Sequence, residues 1–281
     1  MNYRHAFHAG NFADVMKHVV LLRVLGHLLR KETPFRVVDT HAGIGLYDLA
    51  ADEAERTGEW REGVGRLQAP FPPEAEALLA PYRTALAETR RRFGDSAYPG
   101  SPLIAAGALR RQDRAIFVEL HPQDRLVLEE RLRGIRNAKV LHLDGWTALH
   151  ALVPPREKRG LVLVDPPYEA RGELDRLGAE LAKAWRKWPT GIYLGWYPIK
   201  GPRDADGAAR ALAEAGPKGL RLELLVDRPD DSLRLLGCGL FVLNPPWTLR
   251  EEAEILLPAL SERLARAGYG AFRCTPLREA D

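Results

Sequence analysis

The run Leu161-Val162-Leu163-Val164 followed by Asp165-Pro166-Pro167-Tyr168 constrains the fold more than any other stretch. An unbroken apolar run of that length reads as a buried strand. Two prolines can neither extend it nor donate to its ladder, so the chain must leave the sheet abruptly. A carboxylate, a rigid turn and an aromatic ring are thereby fixed together at a strand's carboxyl end. That group suits the exocyclic amine of a flat heteroaromatic ring. Asp165 accepts a hydrogen bond from the amine, the Pro166 carbonyl is a second acceptor, and Tyr168 offers a stacking face. The alternative is a plain proline turn with an amphipathic tyrosine.

Around this turn, strands alternate with helices. Helical spacing over 11–32, with Asn11 as cap and Asp14 at the capping-box position, precedes a strand at 35–38 and the turn Asp39-Thr40-His41-Ala42-Gly43-Ile44-Gly45. Residues 46–101 break the alternation. Two helical stretches, 50–67 and 74–93, are divided by Pro70, Pro72 and Pro73, and read as a helical insertion closed by Pro99-Gly100-Ser101-Pro102. Beyond it, helix 102–111, strand 115–120, helix 122–134, strand 139–143, helix 146–152, strand 160–164, helix 172–187, strand 191–196 and helix 203–215 follow. Strands 220–226 and 237–243 and helix 249–266 complete the pattern. The expectation is an α/β fold with a mostly parallel seven-stranded sheet whose last strand is antiparallel. Residues 1–45 and 102–281 form the main domain, and 46–101 the insertion.

At 281 residues the chain suits one such domain. No apolar run of about 18 residues indicates a membrane span, and the amino terminus shows no apolar signal region. Two cysteines, Cys238 and Cys274, make no disulfide framework and fit a reducing cytoplasm. His5 and His8 have a ligand-like spacing, but no acid cluster completes a metal site, so no metal is expected. The net charge of +3 is weak, but arginines cluster at 90–92, 110–114, 131–136 and 156–159. Such clusters suit phosphates, or are solvated helix faces balanced by nearby acids.

Acids fall at successive strand ends: Asp39, Glu119, Asp144 and Asp165. Ligands collect at that edge of open α/β sheets. The Asp39 turn with Gly43 and Gly45 lets backbone approach a ligand closely. It lacks the full glycine fingerprint and any Gly-Lys-Ser/Thr, which disfavours pyrophosphate and favours a methionine-like moiety whose ammonium meets Asp39. Glu119 stands where adenosyl folds place the acid for ribose hydroxyls. Asp144-Gly145 suits an adenine amine, with Asp144 also able to cap a helix. Asn244-Pro245-Pro246-Trp247 imitates the Asp165 motif. However, 220–226 and 237–243 are joined too closely for a crossover helix, so they form an antiparallel pair, and Asn244 falls on the wrong edge. It is expected to be a structural turn.

These residues resemble a known family. The Asp39–Gly45 turn with Asp165-Pro-Pro-Tyr168 is similar to amino-methylating S-adenosylmethionine-dependent methyltransferases of the Rossmann-like class I fold. Tyr3-Arg-His-Ala-Phe-His-Ala-Gly-Asn-Phe-Ala-Asp14 with Lys17-His18, Ala54 to Glu59, Tyr98 to Pro102, Glu119 to Pro122, Gly191 to Pro198 and Asn244 to Trp247 resemble the RlmJ family of 23S ribosomal RNA adenine-N6 methyltransferases. The resemblance implies S-adenosylmethionine contacts at Lys17, His18, His41, Ser101, Glu119, Asp144, Gly145 and Asp165. It implies Asp165 as catalytic acceptor, with Tyr3 and Arg4 toward the RNA. It implies as target the adenine at position 2030 of 23S rRNA not yet packed into the finished subunit. A cytoplasmic monomer is expected. Rival readings are a DNA adenine methyltransferase, a protein glutamine methyltransferase and a non-catalytic RNA-binding protein.

Overall fold

The computed structural model describes residues 4–201, 203–228 and 235–278. Tyr3 lies outside them. Ten strands and nine α-helices occur among the described residues. The strands are β1 (Arg36–Asp39), β2 (Leu46–Asp48), β3 (Ala97–Pro99), β4 (Arg114–Val118), β5 (Ala138–Leu141), β6 (Gly160–Val164), β7 (Ile192–Ile199), β8 (Gly219–Leu225), β9 (Gly237–Leu243) and β10 (Ala271–Pro276). The helices are α1 (Phe12–Leu29), α2 (Asp52–Thr57), α3 (Pro73–Phe93), α4 (Ser101–Ala108), α5 (Pro122–Arg131), α6 (Gly145–Ala151), α7 (Glu173–Lys187), α8 (Asp206–Ala215) and α9 (Leu249–Leu264).

Eight strands form one sheet in the order β10-β8-β9-β7-β6-β1-β4-β5. The five strands β5, β4, β1, β6 and β7 are mutually parallel. Strand β9 runs antiparallel to both β7 and β8, as its short connection demands. The expected seven strands fall one short. Strand β10 adds an eighth, antiparallel to β8. It is an edge strand, mostly part-exposed, with Arg273 and Pro276 interrupting its apolar pattern, so its periodicity is weak.

Strand β6 shows how the core divides. Leu161 and Leu163 face a cluster with α1, α3, α4, α5 and α9, whereas Val162 and Val164 face a second cluster with α6, α7 and α8. Both faces are covered, which is why the run carries no polar residue. Helix α1 is enclosed between the sheet and α3, so it is buried nearly all round. Asn11 caps it as expected, accepting from the amides of Ala13 and Asp14. Asp14 does not complete a capping box. Its carboxylate takes the Gly10 amide instead of the cap's own, which turns it toward the rim of the sheet.

The 46–101 segment departs from the expected long first helix. Gly58, left-handed at φ 62°, ends α2 after six residues, and two 3-10 turns, Glu59–Glu62 and Val64–Leu67, follow. Strands β2 and β3 pair antiparallel and clasp the ends of the segment together.

Asn244 sits left-handed at φ 50°. Its Nδ2 donates to Pro189 O and Gly191 O, both at 2.7 Å, tying the end of β9 to the start of β7. It therefore lies on the edge opposite Asp165. Asn244→Ala should lower the free energy of urea unfolding by about 2–4 kcal/mol, from two lost hydrogen bonds and a disfavoured backbone. Asn244→Gly, which keeps the backbone permissible, should cost less. Equal costs would contradict the backbone part of this account.

Candidate active site

The parallel strands end at one rim, where two cavities share a wall. The first, about 230 Å³, is lined by Lys17, His18, His41, Gly43, Ser101, Glu119, Asp144, Gly145 and Asp165, among others. The second, about 470 Å³, is lined by Phe12, Glu59, Tyr168, Trp196 and Arg266, among others. His5, Lys17, Asp165, Pro166 and Pro167 belong to both.

The shared wall is held by charge. Lys17 Nζ donates to Asp165 Oδ2 at 2.6 Å and to Asp14 Oδ1 at 2.9 Å. His5 Nε2 lies 2.9 Å from Asp14 Oδ2. Burial works against the charge on Lys17, but Asp14 and Asp165 outweigh it and hold the ammonium well above its ordinary range. Burial likewise opposes ionisation of Asp14, and His5, Lys17 and His18 overcome it, so this carboxyl stays far below its ordinary range. Asp165 Oδ2 is committed to Lys17. Its Oδ1 meets no described partner.

Around the first cavity two acids are held by backbone amides. Glu119, just past β4, accepts from the Gly43 amide at 2.8 Å and the His121 amide at 2.7 Å. Burial raises its pKa. Asp144 caps α6, taking the Thr147 amide at 2.8 Å and hydroxyl at 2.9 Å. A Cβ on Gly145 would meet Thr40 O at 2.4 Å and His41 Nε2 at 2.5 Å, so glycine lets α6 start against the β1 turn. Asp39 differs from its expected role. It lines neither cavity, and its two oxygens accept from the Ser101 hydroxyl at 2.7 Å and the His41 amide at 3.3 Å. Burial, reinforced by Asp165, raises it to about 6.

His18, enclosed beside Tyr98 (Nδ1 to OH 3.0 Å), is pushed down to about 3 by burial. His41 is pushed down to about 4 for the same reason. Both are neutral near pH 7. Tyr168 takes the uncommon φ of 54° and spends its hydroxyl on Trp196 O at 2.6 Å, its ring edge-on to that of Trp196. Arg4 is exposed and lines neither cavity.

The sequence reading missed His5, Asp124, Trp146 and Arg176 on the first cavity and Trp196 on the second. Asp124 and Arg176 had a signal: each lies in the first turn of a helix that follows a strand-end acid, and first turns face the rim. His5 had none, because its partner Asp14 is reached only through a 3-10 turn and a loop.

The donor set tests which ligand fits. Glu119, Asp124, Asp144, Asp165 and Glu173 all line the first cavity, which repels phosphate and accepts from hydroxyl and amine donors. Lys17 and Arg176 are the Lys and Arg side chains on its lining, so a carboxylate is the anion it can tolerate. Ribose hydroxyls, an adenine amine, an ammonium, a sulfonium and a carboxylate are among the polar groups of S-adenosylmethionine, and the residues fit it. Sheet order, rim acids and paired cavities define a class I S-adenosylmethionine-dependent methyltransferase.

Comparison with known proteins narrows the class. The model of the family described as "Ribosomal RNA large subunit methyltransferase D, RlmJ" matches residues 32–275. The Haemophilus influenzae protein named Ribosomal RNA large subunit methyltransferase J is 39% identical over 279 residues, covering 97% of each chain. Its Escherichia coli K12 namesake is 39% identical over 273 residues, covering 96% of each. A crystal structure of a Legionella pneumophila protein superposes with a TM-score of 0.85 at 33% identity, covering 95% of this chain and 98% of the other. The chain belongs to the RlmJ family.

The two buried histidines and Asp39 act oppositely on stability. The unfolded chain binds a proton at His18 below about pH 6.5 that the folded chain refuses down to about 3. Wild type should therefore lose stability relative to His18→Gln as pH falls through that window. Asp39, raised from 3.8 to about 6, holds its proton in the fold and loses it on unfolding. Wild type should lose stability relative to Asp39→Asn as pH rises from about 4 to 6. Urea unfolding of the three proteins across pH 3.5–7.5 measures both differences; differences that do not vary with pH would contradict the assignments.

Proposed function

We propose that the protein transfers a methyl group from S-adenosylmethionine to the N6 amine of one adenine of 23S ribosomal RNA, the adenine at position 2030. The observation that carries the reading is the shared wall. Asp165 stands between a cavity whose polar lining fits S-adenosylmethionine and a larger one that sets the aromatic rings of Phe12, Tyr168 and Trp196 beside the cations Lys200 and Arg266. Family membership and the names of the two 39% identical relatives support ribosomal RNA as the substrate.

S-adenosylmethionine, when bound, supplies an electrophilic methyl group on a sulfonium. The chain's own task is to present the amine. An adenine N6 is a weak nucleophile because its lone pair is drawn into the ring. Asp165 Oδ1 and Pro166 O, neither engaged by a described donor, accept its two N–H bonds and favour a pyramidal nitrogen. Lys17 fixes the other Asp165 oxygen at 2.6 Å, so the carboxylate is aimed before the substrate arrives. As nitrogen forms its bond to carbon it becomes cationic, and Asp165 is the base within reach of the released proton. Tyr168 and Trp196 provide aromatic walls for a base taken out of its stack. Lys17, His18, His41, Ser101, Glu119, Asp144 and Gly145 hold S-adenosylmethionine, with Gly43 shaping the turn and Asp39 acting through Ser101 and His41. Tyr3 and Arg4 precede the shared wall in sequence and contact the RNA.

The proposal extends to the setting. The 46–101 segment serves as an accessory subdomain, supported by Glu59, which reaches the second cavity and bonds Asn11 at 2.9 Å. The protein acts as a monomer without a metal, on RNA not yet packed into the subunit. A cytoplasmic location is supported by two cysteines that remain free. Among the described residues no helix is long and apolar enough to cross a membrane.

Asp165→Ala should reduce methylation of extracted 23S rRNA by at least about 10³-fold, while calorimetry shows S-adenosylmethionine affinity falling far less. Substantial methylation by a folded Asp165→Ala protein would refute the role. Equal transfer to deproteinised rRNA and to double-stranded DNA would refute the choice of substrate.

A further inference from the structure

The Asn244-Pro245-Pro246-Trp247 turn and two of the arginine clusters have no part at the Asp165 rim. They meet at the opposite one. Strand β9 delivers Trp247 to the amino-terminal edge of the parallel strands. The turn before β4 brings Arg110 there, the turn before β6 brings Lys158 and Arg159, and the end of α1 brings Arg30 and Lys31. Trp247 is 73% exposed, the most exposed large apolar side chain among the described residues. The Arg30 guanidinium lies 5.7 Å from its ring centre.

Part of this cluster has structural work. Arg110 and Arg159 donate to the carbonyls of Leu28, Lys31 and Thr33 at the end of α1. That accounts for those two, but Arg30, Lys31 and Lys158 make no ion pair with any described residue. The cations are close enough to act on one another. After burial, Arg159, Arg30 and Lys31 lower the pKa of His27, and Arg110 adds to burial in lowering that of Arg159. Nearby carboxylates offset only part of this charge: Asp113 pairs with Arg110, Glu157 with Arg36 and Glu252 with Arg23, while exposed Glu32 lies 3.6 Å from Arg110. A net cationic edge fits a polyanion. An exposed indole beside a guanidinium adds a stacking platform for an unpaired base, a combination that fits RNA better than an acidic protein.

We propose that this amino-terminal edge is a second RNA-binding surface, where Arg30, Lys31 and Lys158 hold phosphates and Trp247 stacks an unpaired base of the same RNA that enters the Asp165 rim. Along the five residues of β6 the two rims are roughly 16 Å apart, so one folded RNA can touch both. The identity of that RNA rests on the function proposed above; the binding itself needs no methyl transfer.

The test compares wild type, Trp247→Ala and the triple variant Arg30→Gln/Lys31→Gln/Lys158→Gln. Binding of extracted 23S rRNA is measured over a range of salt concentrations. Removing three phosphate contacts should flatten the slope of log affinity against log salt by about 2 to 3, and Trp247→Ala should weaken binding about tenfold. S-adenosylmethionine affinity, and methylation of a short stem-loop carrying the target adenine, should stay at wild-type values while KM for full-length rRNA rises. Unchanged slope and affinity overturn the proposal. So does loss of a protein partner's binding with RNA affinity intact. If wild type methylates no RNA yet the variants still lose salt-dependent RNA binding, the functional reading fails and the surface stands.

Discussion

The ammonium of Lys17, buried between the carboxylates of Asp14 and Asp165, is the contact on which the arrangement of the site depends. It joins the first helix to the end of the fourth strand in sequence order of the main sheet, across 148 residues. Removing Lys17 would leave the Asp165 carboxylate without its cation beneath the rim, at a cost of about 3–5 kcal/mol by the usual measure of buried pairs, whereas removing Asp165 leaves Lys17 still paired with Asp14. Such a pair is weak as a source of net stability, because both charges must be taken out of water. Its worth is geometric. It fixes one oxygen of Asp165 and leaves the other without a described partner, at the wall between the two cavities.

The sheet places the rest. Five parallel strands send Asp39, Glu119, the Asp144 turn and Asp165 to one edge, and the helices that follow add Asp124 and Arg176 from their first turns. The antiparallel strands beside them send the second proline motif to the far edge. Two motifs of nearly the same composition thus receive different work from strand direction alone. Asp165 faces a cavity, whereas Asn244 closes a joint between strands.

Much of this was legible in the sequence because it depends on short-range rules. The β6 run, the glycine turn after β1, the cap at Asn11 and the antiparallel β8–β9 pair each follow from a few adjacent residues. Strand β10 was not legible, since a half-exposed edge strand carries little alternation. Nor was the first helix of the insertion, which Gly58 stops early. The site residues read from pattern alone were those at strand ends, whereas Lys17, His18 and Ser101, on helices, came only with the family resemblance. His5, whose place depends on Asp14 turning away from a capping box, could not be read locally. Asp39 was legible as a rim acid but not as a buried one, because Ser101, 62 residues on, decides which way its carboxylate is used.

The central claim is that Asp165 receives an adenine amine of ribosomal RNA opposite an S-adenosylmethionine cavity. The most direct test incubates the purified protein with isotopically labelled S-adenosylmethionine and extracted, unmethylated rRNA, then maps the labelled nucleotide by nuclease digestion and mass spectrometry. The account predicts N6-methyladenosine at a single position of 23S rRNA. Label on a cytosine, on protein, or at no nucleotide would contradict it.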